Sequence, residues 1–297
     1  MPEYLAPGVF VEEVSFRAKS IEGVATSTTG FAGMTRYGPV RYAHGPEPVE
    51  PRLITSFAEY ERVFGGLEAL FAGGAERVNY MAHAARAFFL NGGQRLYVAR
   101  VFDPPAAGDG VARHTVAAGL TWAARWPGKA GEVLVDVQAT RSRNVSVVEN
   151  GVVRAQGAKH GSLVEVLAAA PPATAKDDDP LDAATLAVVT VDADNRQTFH
   201  GVAVANTSFL RLVDLRVIVQ TSAETTDVYD GLSAHPQHKR ALTRILQLDD
   251  PADENAAVWL DWNPVAADEN AMAALVTAAA VALQAGPAVR LQGGLDG

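Results

Sequence analysis

Residues 76–102 read ERVNYMAHAARAFFLNGGQRLYVARVF, and the fold class turns on how this stretch divides. Val78, Met81, Ala85, Phe88 and Phe89 fall on or near one stripe of a 3.6-residue repeat. That spacing predicts a helix over 76–91, with Gly92 placed to end it. Residues 95–102 then turn strand-prone, and a helix feeding directly into a strand is the crossover of α/β architecture. Upstream, Ser56 and Glu59 have capping-box spacing, so a short helix is expected through Tyr60 and Val63, stopping at Gly65 and Gly66. Residues 28–35 read as a strand, and its glycines, Gly30 and Gly33, imply close approach of another backbone or side chain.

Downstream, the Pro-, Gly- and Ala-rich residues 104–109 mark a shift in composition. Short strand-prone runs follow at 132–140, 144–148, 163–167, 185–191, 198–204 and 212–219. Asn150-Gly151 between apolar residues is a strong hairpin signal. This pattern suggests a β-sandwich or small barrel. From residue 226 the helical period is expected to return, with Pro236 opening a segment in which Leu242, Ile245 and Leu246 share a face. Residues 256–262 read as a buried strand. Asp268 should cap a helix presenting Met272, Leu275, Val276, Ala279 and Leu283, and 289–291 form a last strand. The simplest architecture is an α/β domain (23–103 and 223–297) interrupted by an inserted all-β domain (104–222).

Residues 1–22 stand apart. Pro7 and Gly8 break any helix, and Leu5 with Val9, Phe10, Val11, Glu12, Glu13 and Val14 forms an extended segment that cannot pair its own backbone. It reads either as an arm added to a sheet edge of a neighbouring subunit or as the first strand of the chain's own sheet.

Bulk composition narrows the function. The 297 residues exceed one usual domain, and a hydrophobic fraction of 48% is enough for a sizeable core. The net charge of −9 without a Lys/Arg cluster argues against nucleic acid as a partner. Cysteine is absent, which excludes disulfides and thiolate-bound zinc. Glu3, Glu12 and Glu13 contradict a signal peptide, and the Ala-rich residues 271–285 are too short and weakly apolar for a membrane span.

Catalytic patterns are missing: no phosphate loop, GxGxxG, HExxH or GxSxG occurs. His235 and His238, with Asp227 and Asp230 nearby, have metal-ligand residue types, but the intervening Pro236 and the following Lys239 and Arg240 fit a solvated helix start better. Asp177, Asp178 and Asp179 lack the alternating spacing of a calcium loop and read as a solubilising loop. Trp122 and Trp126, flanking Arg125, are expected in the core or a domain contact. The sequons at Asn144 and Asn206 carry no meaning without secretion. Neither a metal, nor a cofactor, nor an enzymatic activity is expected.

Four blocks, at residues 7–13, 21–39, 53–66 and 88–98, occur in an order that resembles the amino-terminal part of the contractile tail sheath family of phage tails and phage-tail-like injection particles. Residues 227–233 and 291–297 also look like sheath segments. The resemblance implies a subtilisin-like α/β topology, without conferring hydrolase activity. It further implies a subunit that stacks in hexameric rings around an inner tube and contracts to drive that tube through a target envelope. Subunit-linking residues would be Leu5 and 9–14. The family continues beyond the Gly293–Gly297 segment into a carboxy-terminal domain facing the tube and a second arm. The resemblance therefore covers its amino-terminal and middle portion, and contacts with the inner tube and baseplate would use the remainder. Localisation would be the bacterial cytoplasm during assembly, then the particle. The alternative is a binding module that displays the β-rich domain to host or accessory proteins.

Overall fold

The computed structural model describes residues 27–46, 50–105, 108–117, 119–222 and 225–296. The expected arm, including Leu5 and residues 9–14, lies outside them. The fold is mixed α/β, mostly strands, with one large sheet and few helices.

The first unit comprises β1 (Thr28–Gly33), β2 (Arg52–Ile54), α1 (Phe57–Phe64), β3 (Leu70–Ala72), β4 (Ala75–Arg77), α2 (Tyr80–Leu90) and β5 (Arg95–Arg100). β5 is central, parallel to β1 and antiparallel to β2. Leu96 and Val98 of β5 point into a core with Ile54, Tyr60, Phe64, Met81 and Ala85, so α1 and α2 cover one face of this sheet. The α1 start follows its sequence signal. Ser56 Oγ accepts from Glu59 N at 3.2 Å, and Glu59 Oε2 accepts from Thr55 N at 2.9 Å, one residue before the cap. α2 starts later than periodicity implied. Asn79 Oδ1 accepts from Ala82 N while its Nδ2 donates to Gly66 O, and residues 75–77 are taken into the β3–β4 hairpin. Val78 is consequently exposed instead of lying on the buried stripe.

The rest of the chain supplies β6 (Arg113–Ala117), β7 (Leu120–Ala124), β8 (Leu134–Asn144), β9 (Ser146–Glu149), β10 (Val152–Ala155), β11 (Ser162–Leu167), β12 (Leu186–Val191), β13 (Gln197–Gly201), β14 (Phe209–Gln220), β15 (Thr226–Leu232), α3 (Leu242–Ile245), β16 (Val258–Asp261), α4 (Glu269–Gln284) and β17 (Val289–Arg290). An antiparallel sheet runs β13-β12-β11-β14-β8-β17, with β15 also on β14. Neighbouring residues of its strands enter opposite cores. Leu163, Leu186 and Val188 join the largest cluster, while Val164, Ala187 and Val189 pack under the β9–β10 hairpin. The hairpin turns at Asn150 and Gly151, whose φ values of 51° and 77° suit the tight turn expected of that dipeptide. A further sheet orders β16-β7-β6. The largest core joins Tyr37, Trp122 and Val217 with Leu242, Val276 and Leu291, drawing on both sides of residues 104 and 222.

Three local expectations change. Residues 226–232 form a strand, not a helix: β11 pairs with β14 only as far as Val213, and β15 takes up the same edge from Leu215 to Gln220. Buried backbone groups need partners, and this pairing outweighs the local helical pattern. Helix α3 keeps only one turn, with Leu242 and Leu246 fully buried. In α4, Asp268 caps as expected by accepting from Ala271 N, but Leu275 is exposed and Ala273, Thr277 and Ala280 are buried with Val276. No helix among the described residues is long and apolar enough to cross a membrane.

Candidate functional site

The most distinctive surface lies along β1. Among the described residues β1 pairs only with β5, so its other edge is open. A trough of about 780 Å³ is lined by five consecutive residues, Gly30 to Met34, and by the wall of α2. Alternate strand side chains point to opposite faces, so consecutive lining residues mean that the trough opens on the backbone edge itself. A second hollow of about 540 Å³ shares Phe31 and Ala84 with it and continues to Ser27 and Gly93. Together they follow the length of β1.

Packing explains the shape. Phe31 meets Phe88 edge-on at 6.0 Å, and a Cβ on Gly33 would come within 3.2 Å of Met81 Cε. The expected close approach at Gly33 is therefore to a side chain of α2. On the trough side α2 presents Tyr80, Ala84 and Ala87, all exposed and spaced i, i+4, i+7. Val78 and Tyr80 are 53% and 76% exposed, large values for apolar rims. Arg77 is the only charged lining residue in either hollow. Its Nε donates to Ala72 O at 3.3 Å, and no carboxylate pairs with it among the described residues.

Behind the trough a second feature joins the two large cores. Asp296, fully buried, accepts from Phe71 N and Lys129 N, each at 2.7 Å. Arg100, at the end of β5, donates to Gly38 O at 3.1 Å and Pro127 O at 2.6 Å, with Asp296 O at 3.5 Å. Burial lowers the Arg100 guanidinium to about 10, and Asp296 opposes that shift. The Asp296 carboxylate thus fastens the β3 strand to the 3₁₀ turn at Lys129–Gly131, and its backbone carbonyl accepts from Arg100 of β5.

The residue types with chemical potential are otherwise occupied. His235 and His238 are buried, not solvated, and Asp227 and Asp230 lie on β15 instead of converging with them. His235 Nδ1 accepts from Gln237 N at 3.2 Å, its Nε2 has no partner among the described residues, and its ring lies edge-on to His160 at 5.5 Å. Burial, followed by His160, lowers His235 to about 4. No group of three or more metal-ligating side chains occurs among the described residues. Asp177 and Asp178 are exposed, but the carbonyls of Asp177, Asp179 and Pro180 all accept from Arg141. Trp122 and Trp126 are buried, and Arg125 donates to Leu248 O and Glu254 O.

Sequence reading missed Tyr80, Ala84 and Ala87, although a signal was present. Between residues 80 and 90 only His83 and Arg86 are polar, and a helix apolar on more than one side is expected to be covered on more than one side. Arg100 and Asp296 had no such signal. No protein-family model matches this chain, and no curated protein matches it.

Proposed function

We propose that this chain is a structural subunit of a contractile tail sheath, of the kind found in phage tails and phage-tail-like injection particles. The observation that carries the reading is where the resembling segments fall. Residues within 21–39, 53–66 and 88–98 supply β1, β2, α1, the end of α2 and β5, which share one sheet and one core. The resembling terminal segment contributes Asp296, which binds to β3 beside that unit. Three resembling blocks between residues 21 and 98 thus share one unit, whereas residues 227–232 lie in β15 of the large sheet.

In this reading the fold is a subtilisin-like α/β domain with an inserted all-β domain, and the amino-terminal arm links copies by strand addition. Copies stack as hexameric rings around an inner tube, assembling in the bacterial cytoplasm and acting within the particle. Work is mechanical: the extended lattice is metastable, and repacking of subunit contacts after a baseplate trigger shortens it. Neither cofactor nor catalytic residue takes part.

Light scattering and negative-stain microscopy test this. The chain, a version lacking residues 1–16, and a version extended with a sheath carboxy-terminal domain are compared. Rings or tubes that require both the arm and the extension support the reading, and three monodisperse monomers at high concentration overturn it. A second reading, a partner-display module, is favoured by the β9–β10 hairpin, which exposes Val147, Val148 and Val152. It requires carboxylates at Val148 and Val152 to abolish capture of a partner.

A further inference from the structure

A cleft of about 580 Å³ separates the outer face of α1 from the end of the β14–β15 hairpin, a size within the range of about 300–1,000 Å³ usual for small-molecule sites. Ala58, Glu61, Arg62 and Gly65, spaced i, i+3, i+4 and i+7, form one wall, outside the buried stripe of Tyr60, Val63 and Phe64. Thr225, Asp227 and Asn255 stand on the other wall, and Val133 and Ala257 add apolar lining.

The chain itself satisfies the polar groups of this cleft poorly. Arg36, which also lines it, gives Nη1 to Glu68 Oε2 at 2.9 Å, and its Nε is buried without an acceptor among the described residues. Arg62 makes no ion pair among the described residues, and neither does Asp227. The two act on each other across the gap without closing it: burial, followed by Asp253, raises the Asp227 carboxyl, and Arg62 opposes that shift. A partly desolvated carboxylate facing an unpaired guanidinium is complemented by a ligand that carries both charges.

We propose that the cleft binds a small basic α-amino acid, with its carboxylate toward Arg62 and Arg36 and its cationic groups toward Asp227 and Glu61. Charge sets the class of ligand. With Arg36 held by Glu68, the remaining lining charges are the carboxylates of Glu61 and Asp227 against the single guanidinium of Arg62. Two cations and one carboxylate balance them, whereas a phosphate or a dicarboxylate would add to the negative excess. Asn255, its backbone fixed by donation to Asp253 Oδ1 at 2.9 Å, offers a side-chain donor and acceptor to the same ligand. Arg36, Glu61 and Arg62 come from the first unit, and Asp227 and Asn255 from the rest of the chain, so an occupant braces the two.

Isothermal titration calorimetry of the full chain with L-lysine tests this. We expect one site per chain, with a dissociation constant of about 1 mM or below. Cadaverine, which keeps two cations and lacks the carboxylate, and 6-aminohexanoate, which lacks the α-ammonium, should each bind about tenfold more weakly. Asp227→Asn should weaken L-lysine about tenfold, and Arg62→Gln about threefold or more. Ala58→Trp, at an exposed position of α1, should abolish binding by filling the cleft while leaving the melting temperature of the free chain unchanged. Amide chemical shifts of the unmodified chain give a readout independent of any variant's folding, and L-lysine should move those of Arg62, Asp227 and Asn255. Neither saturable heat nor a shift at these amides up to about 20 mM L-lysine overturns the proposal. So does cadaverine binding as tightly as L-lysine, or L-lysine binding undiminished to the folded Ala58→Trp chain.

Discussion

Replacing Asp296 with alanine removes a buried carboxylate that fastens the β1 unit to the larger core. In the folded chain its two oxygens accept from Phe71 N and Lys129 N at 2.7 Å each, and the residue is fully buried. Hydrogen bonds to an ionised acceptor contribute about 1.5–3 kcal/mol each, so the two bound the loss at roughly 3–6 kcal/mol. Water entering the vacated space re-satisfies part of this, and the expected loss is about 3 kcal/mol. An amide in place of the carboxylate keeps one accepting oxygen but turns an N–H toward a backbone donor, so Asp296→Asn should lose about half as much. Arg100 also loses its neighbouring carboxylate, which adds to the alanine effect. Amide hydrogen exchange reads the result residue by residue. A local loss of about 3 kcal/mol accelerates exchange at Phe71 and Lys129 on the order of a hundredfold. Both amides changing by less than about fivefold in Asp296→Ala would refute the latch and leave packing and the remaining hydrogen bonds, such as Arg100 to Pro127 O and Arg52 to Glu254, to hold the two units together.

Two other perturbations probe the large sheet. Glu165 is buried on β11, accepting from Arg211 directly across on β14 and from Arg141 of β8. Glu165→Ala leaves two buried guanidinium groups without their shared counter-charge and should cost about 3–5 kcal/mol in urea unfolding. Adding Arg211→Met should recover part of that, and strictly additive losses would contradict a coupled triad. His235 gives a pH dependence. Its folded value of about 4 lies below its ordinary 6.5, so the unfolded chain takes up the proton first. The His235 contribution to stability is complete above about pH 6.5 and declines as pH falls toward 4. His235→Asn keeps an acceptor for Gln237 N while removing the titration, so its urea midpoint should fall less than that of the parent chain between about pH 7.5 and pH 4.5. Identical slopes would place the acid sensitivity elsewhere.

Signals contained within a few residues were legible in the sequence. The Ser56 cap, the Asp268 cap, the Asn150-Gly151 turn and the alternating runs that became β8, β11, β12 and β14 depend on local backbone preference and a two- or four-residue period, which neighbours along the chain can express. Composition likewise set the expectation of a core without cysteine chemistry. Tertiary structure decided the rest, because the deciding partner is remote in sequence. Residues 226–232 became a strand because β14 had an open edge, and His235 and His238 were buried by packing that no local pattern announced. The Asp296 latch joins groups 225 and 167 residues apart. The trough is a relation between the edge of one strand and the outer stripe of a helix, and only folding brings Gly30 to Met34 beside Tyr80 and Ala84. A period in sequence says that a surface is apolar, whereas its being left uncovered is a property of the assembled chain.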